Sequence, residues 1–373
     1  MALRIAIVGG SVGGLFAAAL LLRAGHDVRV YERSRHGLDG RGASLVAQRE
    51  VFAILRDIGC EHVAEVGVVA SERIVLDRSG AIASRGGPPQ MQISWDLLFR
   101  TFRAPVPDDR YLSGAAVRAV EDGADHATIL FGDGTRVAAD LVIGADGLGS
   151  VVRHAVLGDV PNPAYAGYAT WRGLVPEASL PAVASILVGR FAFYDRPRSH
   201  ILGYLVPGPD GSLKPGERRY NWVWYREAPE ADGSLAQALT DRDGVRHDYS
   251  LARGAMSEAA RDALRRDAVA LLPPPFAAAI AAEDAPFVQA SFDFAAERMT
   301  RGRLLLLGDA AFVARPHTAM GVSKAAGDAM TLRDLLGHGL TLEAALHSYD
   351  DLRRAVGDEI VAYGRRLGER FAR

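Results

Sequence analysis

Apolar and polar positions divide the chain into segments of recognisable period. Residues 4–8, Arg-Ile-Ala-Ile-Val, are a short apolar run rich in β-branched side chains, which predicts a strand buried on both faces. A glycine-rich stretch at 9–14 follows it. A helix over 15–24 closed by Gly25 comes next, then a second strand over 27–31 that ends at Glu32. These elements make one complete β-α-β unit. Residues 50–59 and 96–102 read as helices, and the interrupted alternation of 66–93 predicts short strands. A turn at 132–134 joins 128–131 to 135–138 as a hairpin, and the apolar run 140–144 returns the chain to the first sheet.

The pattern changes between about 165 and 294. Runs at 184–193, 201–206 and 219–226 are rich in aromatic side chains and predict an antiparallel sheet. Alternation along 219–226 puts Tyr220, Trp222 and Trp224 on one face and Tyr225 on the other. Helices near 257–272 and 276–283 interrupt this sheet. A new buried strand at 303–307 and helices near 323–336 and 342–371 complete the chain.

Three motifs sit at strand ends. Gly9-Gly10-Ser11-Val12-Gly13-Gly14 lies between a strand and a helix, the context of a dinucleotide fingerprint. Glycines there let backbone amides approach a pyrophosphate, and the helix N-terminus adds partial positive charge. The strict pattern has glycine where Ser11 stands. Glu32 lies 18 residues beyond Gly14, near the spacing of a ribose-binding carboxylate. Asp146-Gly147 follows the 140–144 strand, with Ser150 and Arg153 behind it. Gly308-Asp309-Ala310-Ala311 follows the 303–307 strand, with Pro316 and Gly321 beyond. Acids at such carboxyl edges face a ligand crevice, and Pro316 stiffens the loop before a helix start at Gly321.

Together the motifs resemble the group A flavoprotein monooxygenases, the para-hydroxybenzoate hydroxylase type, along nearly the whole chain. Two stretches, 165–173 and 302–332 with its Arg315-Pro316-His317, resemble the pyridine-hydroxylating members of that group. The resemblance implies an α/β fold. A Rossmann-like (glutathione-reductase-type) FAD-binding domain would carry an inserted antiparallel β-sheet substrate domain and C-terminal helices. The expected division is 1–164, with its strand-rich section near 66–93, and 297–373 for FAD, and 165–296 for substrate. It implies non-covalent FAD, with NADH or NADPH as co-substrate. Gly9, Gly10, Ser11, Val12, Gly13 and Gly14 would hold the pyrophosphate. Glu32, followed by Arg33, would hold the adenosine ribose, and Asp309 the sugar chain. Pro316, Gly321 and Val322 would line the isoalloxazine, and Asp146 would serve FAD and NAD(P)H. Three positions depart from many relatives: Phe312 where histidine is common, Trp95 near a usual arginine, and Lys324 near a usual asparagine.

The implied reaction is hydroxylation of an electron-rich (hetero)aromatic ring, a hydroxypyridine or phenol, by O2 through a flavin C4a-hydroperoxide. His317 could deprotonate or orient that ring, since an unperturbed imidazole titrates near 6.5. Packing within a loop is the alternative for it. Arg172 and Tyr204 are further candidates, Arg172 with a plain surface role open. Trp222, Trp224 and Tyr225 could line the pocket or fill the core. Same-fold epoxidation or reduction, an NAD-dependent dehydrogenase built on the first unit alone, and a non-catalytic flavin-binding protein stay open.

Composition narrows the partners. Of 373 residues, 49% are hydrophobic and 24% charged, and the net charge is −2, so no broad field attracts nucleic acid or anionic lipid. Cys60 is the single cysteine, which excludes an intrachain disulfide and a redox dithiol. No stretch is long enough to span a membrane, and residues 3–8 lack the flanks of a signal peptide. A cytoplasmic enzyme follows as the simplest reading; a homodimer is one assembly left open.

Overall fold

The computed structural model describes residues 2–35, 38, 44–46, 48–158 and 162–371. Arg4–Val8 and Asp27–Glu32 pair in parallel, as do Arg4–Val8 and Leu141–Gly144, and Leu141–Gly144 and Leu304–Leu306. The full order is Thr300–Arg301, Leu304–Leu306, Leu141–Gly144, Arg4–Val8, Asp27–Glu32, Tyr111–Ser113. Register sets Val8 opposite both Gly144 and Tyr31, and Gly144 opposite Leu306. Each of the three motifs begins just past one of these tips. Parallel pairing therefore delivers Gly9, Glu32, Asp146 and Asp309 to one carboxyl edge.

The helix Val12–Arg23 packs on this sheet through a nearly unbroken buried run. It begins three residues earlier than the apolar pattern indicated, because Gly13 and Gly14 belong to its first turn. A Cβ on Gly13 would lie 3.3 Å from Leu307 and 3.4 Å from Ala325, so the small residue lets the helix Gly321–Gly337 draw close.

The second sheet runs Ser250–Leu251, Phe287–Ala295, Ala164–Pro176, Arg219–Glu227, Ser199–Val206, Phe191–Arg196, Arg73–Leu76, Ile82–Gly86. The section near 66–93 is thus divided. Two of its strands extend this large sheet, while Val68–Ala70 and Gln90–Ser94 form a small sheet with Ser44–Val46. Glu258–Leu271 and Pro274–Ala281 cover one face of the large sheet, over a core containing Trp222, Trp224 and Phe276. Its other face meets the nucleotide unit through Arg219–Asp96 at 3.1 Å and Tyr168–His317 at 3.3 Å.

Two segments differ from the pattern-based reading. The run 184–193 is not a continuous strand: Pro181 leads into a 3-10 turn at Ala182–Leu187, and Gly189 with φ 73° breaks the chain before the strand opens at Phe191. The helix Val151–Leu157 was not anticipated, since seven residues give too little periodicity; Ser150 caps it by accepting from the Arg153 amide.

Candidate active site

Backbone shape at the first motif leaves a cradle. Gly9 has φ 105°, a conformation that disfavours any side chain, and a Cβ there would overlap the Ala145 carbonyl. A Cβ on Gly10 would overlap Tyr111, whose hydroxyl donates to the Gly10 carbonyl at 2.9 Å. Ser11 is extended, with φ −76° and ψ −178°, so its position has no need of glycine, and its hydroxyl is not spent on capping. The first intrahelical bond runs from the Leu15 amide to the Ser11 carbonyl, which leaves the preceding amides without helical acceptors.

Glu32 closes the far side. Its buried carboxylate accepts from the Gly10 and Ser34 amides, both at 2.8 Å. Each oxygen keeps a lone pair for a sugar hydroxyl. Glu32, Arg33, Gly9, Ser11, Trp95 and Asp146 line a cleft of about 220 Å3. The Trp95 indole is stacked on Phe99 with centroids 5.2 Å apart. Val12 is buried in the core, and Gly13 faces the neighbouring helix rather than the cleft.

Asp146 is largely occupied by its own chain. It accepts from the Ser150 hydroxyl at 2.5 Å and the Val151 amide at 2.7 Å, holding the start of a helix. Burial pushes its pKa up against these bonds. Arg153 then joins two motifs: it donates to the Leu148 carbonyl at 2.7 Å, to Ala310 at 2.8 Å and to Asp309 at 2.9 Å.

Asp309 is half exposed at the strand tip and meets the Lys324 ammonium at 2.5 Å. Lys324 also donates to the Phe312 carbonyl and lies 4.7 Å over the Phe312 ring. The phenyl ring at that position is the floor on which a buried ammonium rests. Asp328 accepts from the Gly308 amide at 2.9 Å and from Arg353 at 2.6 Å. Sequence reasoning did not assign roles to Lys324, Asp328 or Arg353; the rarity of lysine, at two positions in the chain, was the available signal.

The loop after Asp309 brings Pro316, His317 and the Gly321 helix start toward the large sheet. His317 Nε2 lies 3.1 Å from the Gly364 carbonyl, which can only accept, so Nε2 carries the proton. In the neutral ring Nδ1 is then the acceptor for the Tyr168 hydroxyl at 3.3 Å. Burial lowers the His317 pKa, and burial pushes that of Tyr168 up to about 12. Tyr225 completes the cluster, 6.0 Å from His317 and 6.2 Å from Tyr168, with the hydrogen-bonded pair His200–Asp195 beside it.

Tyr204 and Arg172 share this inner face but sit among other partners. Tyr204 packs edge-on to Phe191 at 4.6 Å, and Arg172 reaches Gln289 at 3.4 Å above the Phe287 ring. Trp222 and Trp224 are not brought to the site. Alternation turns both into the helix-covered core, where the Trp224 indole donates to Ser199 at 2.8 Å. Tyr168 was visible only as part of a family-like stretch, and His200 carried no signal in the sequence. Among the described residues no cluster of His, Cys, Asp or Glu could hold a metal ion, and no helix is long and apolar enough to cross a membrane.

A dinucleotide cradle, an acid-tipped parallel sheet and an aromatic sheet face above a proline loop define an FAD- and NAD(P)H-dependent aromatic monooxygenase, and the chain belongs to that family of flavoenzymes. It is 33% identical to 2,6-dihydroxypyridine 3-monooxygenase of Paenarthrobacter nicotinovorans, over 93% of this chain and 86% of the relative. It is 32% identical to 3-amino-4-hydroxybenzoate 2-monooxygenase of Streptomyces cremeus, over 99% and 88%. The fold superposes on 2,6-dihydroxypyridine-3-hydroxylase from Arthrobacter nicotinovorans with a TM-score of 0.91 and 30% identity, covering 100% of this chain and 93% of that one. Klebsiella pneumoniae HpxO complexed with FAD and uric acid follows at 0.76 and 25%, over 97% and 87%. Family models for an NAD(P)-binding Rossmann-like domain, an FAD binding domain-like region and an FAD binding domain match residues 7–55, 165–293 and 258–363.

Proposed function

We propose that this enzyme hydroxylates a small hydroxypyridine-type ring with NAD(P)H and O2. The observation that carries the reading is the Tyr168–His317 hydrogen bond, set where the proline loop meets the aromatic sheet face. A relative and a solved structure, both named for 2,6-dihydroxypyridine, support the ring class. In this reading Gly9 to Gly14, Glu32, Arg33, Asp146 and Asp309 hold FAD, with Pro316, Gly321 and Val322 along its ring system. When bound and reduced, FAD supplies the activated oxygen.

The chain's own residues manage a proton. A ring hydroxyl donates to the Tyr168 oxygen while Tyr168 passes its proton to His317 Nδ1. The Gly364 carbonyl holds the imidazole in the receiving tautomer. Loss of the hydroxyl proton raises electron density at the ring carbon to be oxidised. The aromatic walls exclude water and fix the ring plane. The division at 164/165 and 296/297, a cytoplasmic location in keeping with NAD(P)H use, and a homodimer complete the proposal.

The test is a panel of hydroxypyridines and phenols scored by ring-stimulated NAD(P)H consumption and by product mass. One added oxygen atom on a hydroxypyridine is the expected result. NAD(P)H consumption with no oxygenated product from any ring would overturn it.

A further inference from the structure

We infer that the carboxamides of Gln92 and Asn221 form a specificity subsite for an uncharged ring edge that carries a donor and an acceptor side by side. The inference rests on the ring-hydroxylase reading and adds the chemistry of the ring. Both side chains are 0% exposed, and among the described residues neither the oxygen nor the nitrogen of either amide has a hydrogen-bond partner. Buried amides are almost always satisfied, because burying one unpaired is costly. Two such groups mark a place where a polar ligand is the missing partner.

Their placement points to the interface between the small sheet and the inner face of the large one. Gln92 is on the central strand of the small sheet, Asn221 on Arg219–Glu227 opposite Tyr204 and Leu174. Arg219 pins the two strands together, reaching Ser94 at 3.4 Å and Asp96 at 3.1 Å. Ser94 is two residues past Gln92, and Arg219 two before Asn221. Strand positions two apart share a face. Gln92 and Asn221 therefore turn to the same inter-sheet space that Ser94 and Arg219 close at one end.

Charge selects the ligand class. A carboxamide offers one acceptor and one two-proton donor, and neither side chain here is ionised. A 2-hydroxypyridine edge, in lactam or lactim form, presents the complementary donor and acceptor on its ring nitrogen and exocyclic oxygen, both borne by one carbon. A benzoate would need a free cation. Arg219 is already neutralised by Asp96, and Arg172, two strand positions from Leu174, is turned to Gln289 and the Phe287 ring. Two uncharged amides thus favour a neutral heterocycle over a carboxylated ring.

The experiment uses FAD-loaded enzyme with Gln92→Leu, Asn221→Leu and the double variant. Binding of 2-hydroxypyridine, phenol and benzoate is titrated by the perturbation of flavin absorbance, and FAD affinity by flavin fluorescence. Each single variant is expected to weaken 2-hydroxypyridine roughly ten- to a hundredfold, with phenol within about twofold and FAD affinity unchanged. The ligand-free variants are expected to melt higher, since an unpaired buried amide has been removed. Equal losses for phenol and 2-hydroxypyridine, a wild-type preference for benzoate, or a loss of FAD affinity would each overturn the subsite. If the leucine variants do not fold, Gln92→Met and Asn221→Ala carry the same readouts. Unchanged 2-hydroxypyridine affinity in variants that still hydroxylate it sinks the subsite and spares the hydroxylase reading. A protein that oxygenates no ring sinks that reading.

Discussion

The Lys324 ammonium and the Asp309 carboxylate meet at 2.5 Å beneath the turn that ends the Leu304–Leu306 strand. The lysine side chain is 0% exposed and the aspartate 51%, so the pair has one dry end and one open to the cleft edge. Lys324→Met removes the charge that orients Asp309 and leaves the Phe312 carbonyl without its donor. Because Asp309 is half exposed, the loss falls between that of a surface pair and that of a broken buried pair, about 1–2 kcal/mol. FAD affinity is expected to drop by about tenfold. Fluorescence titration of the apoprotein with FAD measures it, and an unchanged Kd would show that Asp309 needs no such anchor.

Arg153 does different work, because its partners are carbonyls rather than an acid. It ties residues 147 and 148 to 309 and 310, and its guanidinium lies 4.3 Å over the Phe294 ring. Arg153→Ala strands several buried acceptors at once and is expected to destabilise the fold by about 3 kcal/mol. Arg153→Lys keeps the charge but cannot reach four acceptors from one nitrogen, so its loss is intermediate. Denaturant unfolding of both variants checks the order.

Acid sensitivity follows from His317. Its pKa in the folded protein is lowered, with burial the main cause. The unfolded chain binds this proton first as pH falls through about 6.5. Stability linked to the residue is thus fully present above that pH and is lost on acidification toward the lower folded value. The thermal midpoint of His317→Gln is expected to fall less steeply below pH 6.5 than that of the wild type. In turnover, Tyr168→Phe is expected to lower kcat about a hundredfold with FAD affinity intact. A variant with normal kcat would remove Tyr168 from the proton path.

Much of this arrangement could be read before any coordinates, and the reason is local. The strand tips at Val8, Gly144 and Leu306 announce themselves as short apolar runs ending in glycine or Gly-Asp. Parallel register does the rest. What stayed hidden depends on long-range pairing. Lys324 acquires its meaning only when the 321–337 helix is laid beneath Asp309. Gln92 and Asn221, 129 residues apart in sequence, have nothing in their own neighbourhoods to mark them. Ser11 shows the converse. The motif departure looked like a defect, yet its φ of −76° is open to any residue.

The face assignment of the aromatic strand makes the last prediction. Trp222 and Tyr225 are three residues apart and therefore point to opposite sides of the sheet. Trp222 fills the helix-covered core, its indole tight against Gly173, where even a Cβ would come within 2.5 Å. Among the described residues its Nε1 has no hydrogen-bond partner, so Trp222→Phe forfeits volume and contacts but no bond. The expected cost is about 1–3 kcal/mol of stability, with KM for the ring unchanged. Tyr225 lies instead between His200 and His317. Tyr225→Leu is expected to raise KM for the ring severalfold while the thermal midpoint moves less than in Trp222→Phe. Parallel melting curves and steady-state kinetics on the two variants decide it. A KM effect confined to Trp222→Phe would place the ring on the helix-covered side, where the packing leaves no room for one.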